Sequence, residues 1–243
     1  METNYKSYWT HQSSDRIDEI LANSDSKYEE LNTIPNRERL TFKNGFYVNC
    51  SCVYMDIRES SKLTNDYQRP TLAKIYRSYA SESVALLNGS RLCKEVTIDG
   101  DAVWGVLNTP NKDDINTAFF VCAQLSSLVK LLNCRFEKKT TNIKPITVGI
   151  GLDYGRALML KAGFSGSGIN DVVWMGDVVN QASKLSGYGN RGYGNKKIMV
   201  SDVIYSNLND SNKSMLERNL NHGCYHCDVI APQMEDWMEK KGC

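Results

Sequence analysis

The sequence predicts an α+β fold in which an antiparallel sheet carries helices on one face. Segments rich in β-branched and aromatic residues alternate with segments whose apolar residues recur at helical spacing, in the order β, α, β-hairpin, α, β, α, β. Asp99-Gly100 lies between two apolar runs and is a strong hairpin signal, and hairpins join antiparallel strands. This order fits an antiparallel α+β sandwich better than a doubly wound parallel sheet.

The chain begins with a polar stretch, which we predict to be an N-terminal helical extension over residues 1–43, followed by one domain over residues 44–243. Apolar residues among charges indicate an amphipathic helical stretch that ends near Pro35. These apolar residues are Ile17, Ile20, Leu21 and Leu31.

The domain is predicted to open with a strand over residues 45–56, because this run is apolar, aromatic and β-branched. Such a strand places the Asp56 carboxylate at the rim of the sheet. Apolar residues at helical spacing predict a helix over residues 69–88, which Gly89 ends. The hairpin follows, and its turn places Asp101 directly after the tip.

Two helices and two strands are predicted next, before a last short helix. We predict a helix over residues 115–132, a glycine-rich strand over 146–155, a helix around Asn180, a strand over 197–200 and a helix through Leu208 that Ser201 caps. Glycine within a strand indicates a place where another backbone or a ligand approaches closely.

Composition limits the classes of function. The chain has 243 residues, of which 41% are hydrophobic and 23% charged, as in ordinary soluble proteins. A formal net charge of +1 gives no overall field toward nucleic acid or an anionic membrane. No run approaches the roughly 20 apolar residues of a membrane helix, and the N-terminus lacks a signal peptide's apolar stretch. We therefore expect a cytoplasmic protein with a small-molecule partner, binding neither nucleic acid nor membrane.

The eight cysteines are scattered and mostly lie in apolar runs, so we predict reduced core thiols and no disulfide framework. Cys224 and Cys227, with His226 between them, have a spacing that can begin a zinc site. A closed structural zinc site needs four ligands, and no second pair stands nearby. A short apolar C-terminal strand is the favoured interpretation.

Two carboxylates and a polar helix carry the chemistry. Asp56 ends a strand and Asp101 follows a glycine turn, so together they predict a two-carboxylate metal cradle. Asn180 and Lys184 stand four positions apart and share one face of a helix. A nucleoside triphosphate needs a metal, an amide and a cation of this kind. Each residue also has a plainer interpretation, as a turn former or as part of a solvated helix face.

In their order, these motifs resemble the catalytic domain of class III nucleotidyl cyclases. The likeness covers about residues 46–205 and rests on Met55-Asp56-Ile57, Gly100-Asp101-Ala102 and the helix from Gly176 through Asn180 to Lys184. Within the family, residues 40–49 and 56–63 are most similar to the pyrimidine cyclases of bacterial anti-phage (Pycsar) systems. The resemblance implies the ferredoxin-like antiparallel sheet with helices of class III cyclases, and a second-messenger role in antiviral defence.

The resemblance also implies the catalytic roles. Asp56 and Asp101, with the Ile57 carbonyl, would hold two Mg²⁺ or Mn²⁺ ions, for which oxygen ligands are suited. Asn180 would orient the ribose, and Lys184 would stabilise charge on the α-phosphate. Lysine stands here where arginine is usual in the family, which keeps the charge but loses a bidentate contact.

The triphosphate and the base would contact a further set of residues. Backbone amides from Arg58 through Ser61, including Ser60, lie where a strand turns into a helix and would cradle the β- and γ-phosphates. Where adenylate cyclases read adenine with a lysine and an aspartate, this chain has Thr97 and Val173. Tyr54 and Trp174 would narrow the pocket against a purine, although such aromatics are also typical of a core.

We therefore predict UTP or CTP as the substrate. Asp171 lies two residues from the expected acidic position, so an adenylate or guanylate cyclase stays open as an alternative. A degenerate homologue that binds a nucleotide without turnover is another. A diguanylate-type enzyme is not favoured, because its Gly-Gly-acidic-acidic-Phe signature is missing. Family geometry implies a head-to-tail homodimer, in which the aspartates of one subunit meet Asn180 and Lys184 of the other.

Overall fold

A computed structural model describes residues 1–139 and 143–243. Its strands are β1 (Tyr28–Leu31), β2 (Gly45–Ile57), β3 (Cys93–Asp99), β4 (Ala102–Leu107), β5 (Val148–Phe164), β6 (Ile169–Met175), β7 (Ile198–Val200), β8 (Glu217–Asn219) and β9 (Cys224–Cys227). Its helices are α1 (Thr10–Leu21), α2 (Ser60–Asp66), α3 (Arg69–Asn88), α4 (Lys112–Lys139), α5 (Asp177–Tyr188), α6 (Asp202–Asn207), α7 (Asp210–Lys213) and α8 (Pro232–Lys240).

The described strands form one sheet in the order β3-β4-β2-β5-β7-β9-β8, with β1 beside β2 and β6 beside β5. The pairings are antiparallel except for β1 with β2 and β5 with β7, which are parallel. The predicted α+β fold with a mostly antiparallel sheet is thus confirmed. Alternate residues of β2 point to opposite faces, so each face carries its own apolar core.

Helices lie on both faces of the sheet, not on one as predicted. The larger core joins Val53 and Met55 of β2 to α3 and α4. The smaller core joins Cys52 on the opposite face to Val178 and Ala182 of α5. Helix α5 therefore crosses the face that α3 and α4 leave uncovered, and this arrangement determines where its polar residues lie.

The N-terminal extension is only partly helical, which corrects the prediction. Helix α1 forms, and none of its residues is buried. Leu31, predicted to belong to a helical stretch, instead lies in β1 and pairs with Val48 of β2. Leu31 and Ile34 pack against the smaller core, because a strand beside β2 gains both ladder hydrogen bonds and apolar contact. The predicted division at residue 44 stays a prediction.

Local signals predicted several elements closely. Helix α3 has the predicted bounds, and Gly89 is its C-cap. Gly100 has a φ of 61°, the left-handed conformation that the hairpin turn between β3 and β4 requires. Strand β6 lies outside the elements that the sequence predicts, and it pairs with the end of β5 through a glycine-containing turn between Phe164 and Ile169.

One pair of cysteines contradicts the prediction of thiols throughout. Cys134 of α4 forms a disulfide with Cys243 at the chain end, across a Cα–Cα distance of 5.7 Å. The other six cysteines are free, and most are buried. Cys224 and Cys227 lie in the short strand β9, as the favoured interpretation predicted.

Among the described residues, α4 is long and apolar enough to span a membrane by length and composition alone. We expected no segment of this kind, and α4 departs from that expectation because few charges interrupt its apolar residues. However, 67% of its apolar window is buried inside the protein. The core helix of a globular domain meets the same criteria, and α4 lies at the centre of the larger core.

Candidate active site

The two predicted metal aspartates lie side by side. Asp56 pairs with Ala102 across β2 and β4, which places it next to Asp101 at the base of the hairpin turn. Burial, together with the charge of the adjacent Asp101, raises the pKa of the Asp56 carboxyl to about 6, against the opposing charges of Arg58 and Arg191. Two carboxyl groups this close repel each other when both are ionised, so a bound cation would stabilise the pair.

The donor set fits Mg²⁺ or Mn²⁺. Carboxylate oxygens are the ligands these hard ions prefer, and Mg²⁺ usually combines one or two carboxylates with substrate phosphates. Over the described part of the chain, no cluster of three or more His, Cys, Asp or Glu side chains could hold a metal. Asp56 and Asp101 would therefore need further oxygen ligands, for which the Ile57 carbonyl and a triphosphate are suitable.

Arg58 does not have the predicted role. Its side chain is only 5% exposed, and the guanidinium donates to the Asp56 carboxylate at 2.8 Å and to the Gly187 carbonyl at 3.1 Å. Its backbone N–H donates to the Thr147 carbonyl at 2.8 Å, so this amide is not free to bind phosphate. The side chain instead holds Asp56 in position and connects it to the end of α5.

The other predicted phosphate residues lie at a helix start. Ser60 and Ser61 form the first turn of α2, where backbone N–H groups have no partner within the helix. Glu59, just before them, has a φ of 55°, which turns the chain sharply from β2 into α2. Both serines follow Asp56 closely along the chain, so this turn lies next to the carboxylate pair.

A row of side chains beside Asp56 forms the candidate base pocket. Thr97, Trp104, Tyr54 and Gly151 pair in register across β3, β4, β2 and β5, so they share one face of the sheet. The rings of Tyr54 and Trp104 lie 6.4 Å apart with an interplanar angle of 8°. Trp104 was not predicted, although its position three residues after Asp101 returns it to the face of Asp56 in a tight hairpin.

The two predicted pocket residues of β6 lie apart from this row. Trp174 is 6% exposed and belongs to the smaller core, as the plainer interpretation of this aromatic predicted. Val173 is half-buried and pairs with Leu160 of β5. Asp171, the alternative acidic position, forms an ion pair with Arg37 and is thereby neutralised within its own chain.

Asn180 and Lys184 lie on the exposed face of α5. Both line a cavity of about 630 Å³, together with Asp153, Arg156 and Asp202. Neither metal aspartate lines this cavity. The two predicted halves of the active site therefore do not share this cavity.

Two glycines determine this orientation of α5. A Cβ atom at Gly151 would lie 2.0 Å from the Ala182 carbonyl oxygen, and one at Gly149 would lie 2.1 Å from that of Ser186. The helix therefore rests directly on the backbone of β5. On its inner side, Ser183 is within hydrogen-bonding reach of the Tyr54 hydroxyl, which lowers the pKa of Tyr54 against the larger effect of burial.

The fold and this site define a class of protein. The adenylate and guanylate cyclase catalytic domain family matches residues 43–223, and the chain belongs to this family. It is an enzyme of the nucleotidyl cyclase class, as the resemblance implied. The fold is also that of the guanylyl cyclase Cya2, with a TM-score of 0.60 and 15% identity over 72% of this chain and 83% of that one.

Two bacterial proteins that are similar to this chain have a name more specific than that of the family. The uridylate cyclase of Treponema porcinum is 37% identical over 229 residues, which are 93% of this chain and 79% of that protein. The uridylate cyclase of Gulbenkiania mobilis is 40% identical over 212 residues, or 85% and 82% of the two chains. The predicted likeness to pyrimidine cyclases is confirmed.

Proposed function

We propose that this chain is a uridylate cyclase, which converts UTP to 3′,5′-cyclic UMP and pyrophosphate. The observation that carries the proposal is the Asp56–Asp101 pair, which lies beside the row of Thr97, Trp104 and Tyr54. The names of the two bacterial relatives support UTP over CTP. At Thr97 and Val173 the chain lacks the purine-reading lysine and aspartate, which supports a pyrimidine base.

The reaction makes one bond and breaks one. The ribose 3′-hydroxyl gives its proton to water and its oxygen attacks the α-phosphorus, while the bond from that phosphorus to the bridging oxygen breaks and pyrophosphate leaves with the electron pair. Asp56 and Asp101 would hold two Mg²⁺ or Mn²⁺ ions, which supply positive charge for the attacking and leaving oxygens. Arg58 keeps Asp56 oriented for this task, through its hydrogen bond of 2.8 Å.

The catalytic pair would come from a second copy of the chain. Asn180 would hydrogen-bond the ribose, and Lys184 would stabilise negative charge on the α-phosphate, a preorganised role that often dominates catalysis. Because both residues line a cavity whose lining does not include Asp56 of their own chain, a head-to-tail homodimer would join them to a carboxylate pair. Two equivalent sites would follow from its symmetry.

The first experiment tests reaction and base together. Purified protein with Mn²⁺ is incubated separately with ATP, GTP, CTP and UTP, and products are compared by chromatography with cyclic nucleotide standards. We expect cyclic UMP, and its loss in Asp56→Ala by about 100-fold or more, because removing an essential electrostatic group has effects of this size. Arg91→Ala, an exposed substitution outside the site, is the matched control.

Other products would change the conclusion in defined ways. Cyclic CMP would still support a pyrimidine pocket but would make CTP the substrate. Cyclic AMP or cyclic GMP would contradict the argument from Thr97 and Val173. Nucleotide binding without any product would favour the degenerate binding homologue.

A mixing experiment tests the composite site. Asp56→Ala and Lys184→Ala are each expected to be inactive, but a mixed dimer has one site in which both intact residues meet. Mixing the two proteins should therefore restore activity. Mixing Asp56→Ala with Asp101→Ala should not, because both aspartates of a site belong to the same subunit. Activity in the second mixture, or none in the first, contradicts the head-to-tail arrangement.

We propose that the enzyme acts in the cytoplasm and that its product is a second messenger of antiviral defence. The resemblance of residues 40–49 and 56–63 to the anti-phage pyrimidine cyclases supports this role. Cyclic UMP should rise in cells that express the wild-type chain when phage infects them, and should not rise in cells that express Asp56→Ala.

A further inference from the structure

The loop between α5 and β7 has a fixed backbone and an exposed arginine. The N–H of Arg191 donates to the Tyr188 carbonyl at 3.1 Å, and its own carbonyl accepts from the Asn195 side chain at 2.6 Å. The Arg191 side chain is exposed. It belongs to no ion pair among the residues that the structure describes. The backbone of Arg191 is therefore fixed by hydrogen bonds, while its positive charge is available to a ligand.

The same loop is attached next to the metal aspartates. Asn190 donates from its side chain to the Val148 carbonyl at 2.8 Å, and Val148 pairs with Ile57 at the end of β2. Arg191 follows Asn190 directly. Arg191 therefore lies in a loop that is bonded to the strand beside the end of β2, the strand that carries Asp56.

Neighbouring cations are already committed to other partners. Arg58 is buried and bonded to Asp56 and to the Gly187 carbonyl. Lys62, on α2, forms an ion pair with Glu59 at 2.5 Å. Arg191, by contrast, forms no ion pair among the described residues, and a guanidinium binds phosphate oxygens through two parallel hydrogen bonds.

We propose that Arg191 binds the β- and γ-phosphates of the nucleoside triphosphate, from the same subunit that supplies Asp56 and Asp101. This assignment rests on the proposed cyclase function and replaces the Arg58 amide that the sequence had suggested for this role. Arg191 would act on the part of the substrate that leaves as pyrophosphate. It contributes to binding through the triphosphate, and its contribution does not depend on which base the nucleotide carries.

The test uses the full-length protein and phosphate ligands without a base. Binding of tripolyphosphate and of UMP, each with Mg²⁺, is measured by calorimetry for wild type, Arg191→Ala, Arg191→Lys and the control Arg91→Ala. We expect Arg191→Ala to weaken tripolyphosphate binding about tenfold or more, the scale of a lost charge-assisted hydrogen bond. UMP binding should change less than about twofold. Arg191→Lys should retain part of the affinity, and Arg91→Ala all of it.

Kinetics give a second measurement. Arg191→Ala should raise KM for UTP by a similar factor with kcat within about twofold, because it removes binding that substrate and transition state share. Unchanged tripolyphosphate binding, or an equal loss of UMP binding, would overturn the assignment. If the wild type forms no cyclic nucleotide but Arg191→Ala selectively loses tripolyphosphate, the cyclase function fails and the phosphate assignment stands. If the wild type forms cyclic UMP and the KM for UTP is unchanged in Arg191→Ala, the cyclase function stands and the phosphate assignment fails.

Discussion

Asp56 and Arg58 stand two positions apart and bond to each other at the end of β2, where residues i and i+2 project from the same face. The arginine connects the Asp56–Asp101 pair to α5 through the Gly187 carbonyl. A buried guanidinium needs partners on several sides, and breaking such a pair by removing one partner is strongly destabilising. The Arg58 side chain thus holds the Asp56 carboxylate, while its backbone N–H is occupied by the Thr147 carbonyl.

His226 carries a prediction about pH. It is 7% exposed, and its Nδ1 accepts from the Lys196 N–H at 3.3 Å and contacts the Asn219 amide at 3.2 Å. Burial lowers its pKa, against the opposing effect of Glu217. The folded state then binds fewer protons than the unfolded state, so this residue's contribution to stability is lost as pH falls below about 6.5.

The expected outcome is a smaller pH dependence in His226→Gln. Urea midpoints measured between pH 7.5 and 5 should fall less steeply on acidification in this variant than in wild type, because glutamine does not titrate. His11→Gln, on the exposed helix α1, should keep the wild-type slope. An identical slope in wild type and His226→Gln would show that His226 contributes nothing to the acid response.

At the scale of elements, the contact of α5 with β5 positions both halves of the site. The helix presents Ser183 toward Tyr54 of its own chain, and Asn180 and Lys184 toward solvent. Because it rests on the bare backbone at Gly149 and Gly151, a single added methyl would displace it. A small shift there would disturb both the inner and the outer set of residues.

Gly151→Ala tests this contact against a matched substitution. We expect it to destabilise the protein by about 1–3 kcal/mol, the usual result of overpacking, and to lower cyclase activity. Gly187 lies in α5 itself, at a position where an added Cβ would have nothing within 4 Å, so Gly187→Ala is the matched substitution. It should be neutral or stabilising by about 0.5–1 kcal/mol, because glycine weakens a helix. Urea unfolding measures both, and equal stabilities would contradict the close contact.

At the scale of the whole molecule, the chain end is fastened to the core. Cys134 and Cys243 are 109 residues apart in sequence, and their disulfide connects α4 to the segment after α8. Glu235 of α8 accepts from Ser127 at 2.8 Å and pairs with Lys130, so polar contacts hold the same interface. A disulfide is unusual in the cytoplasm, where thiols are kept reduced.

The disulfide should contribute measurably to stability. Cys134→Ser is expected to lower the free energy of unfolding by about 2–4 kcal/mol, because the bond restricts the unfolded chain over a long loop. Cys93→Ser, at a free and half-buried cysteine, should show a smaller effect. A reductant should lower the Tm of the wild type to that of Cys134→Ser. No change on reduction would mean that the polar contacts of α8 are sufficient.

Much of the candidate site was predictable from short motifs. Asp56, Asp101, Asn180 and Lys184 each stand in a local pattern whose secondary structure the folded chain reproduces. Arg191 and Trp104 carried no such pattern. Trp104 had one usable signal, its position in the hairpin, whereas nothing near Arg191 in sequence indicates that its loop is tied to the end of β2.

Elements such as α3 and the β3–β4 hairpin are predictable from the sequence, because caps, turn glycines and apolar spacing act over a few residues. Long-range pairings are not. The strand at Leu31, the crossing of α5 over β5, the Cys134–Cys243 bond and the contact of Arg58 with Gly187 each join segments far apart in sequence. Such contacts arise only when the sheet brings those segments together, and no short stretch of sequence contains the information about its distant neighbour.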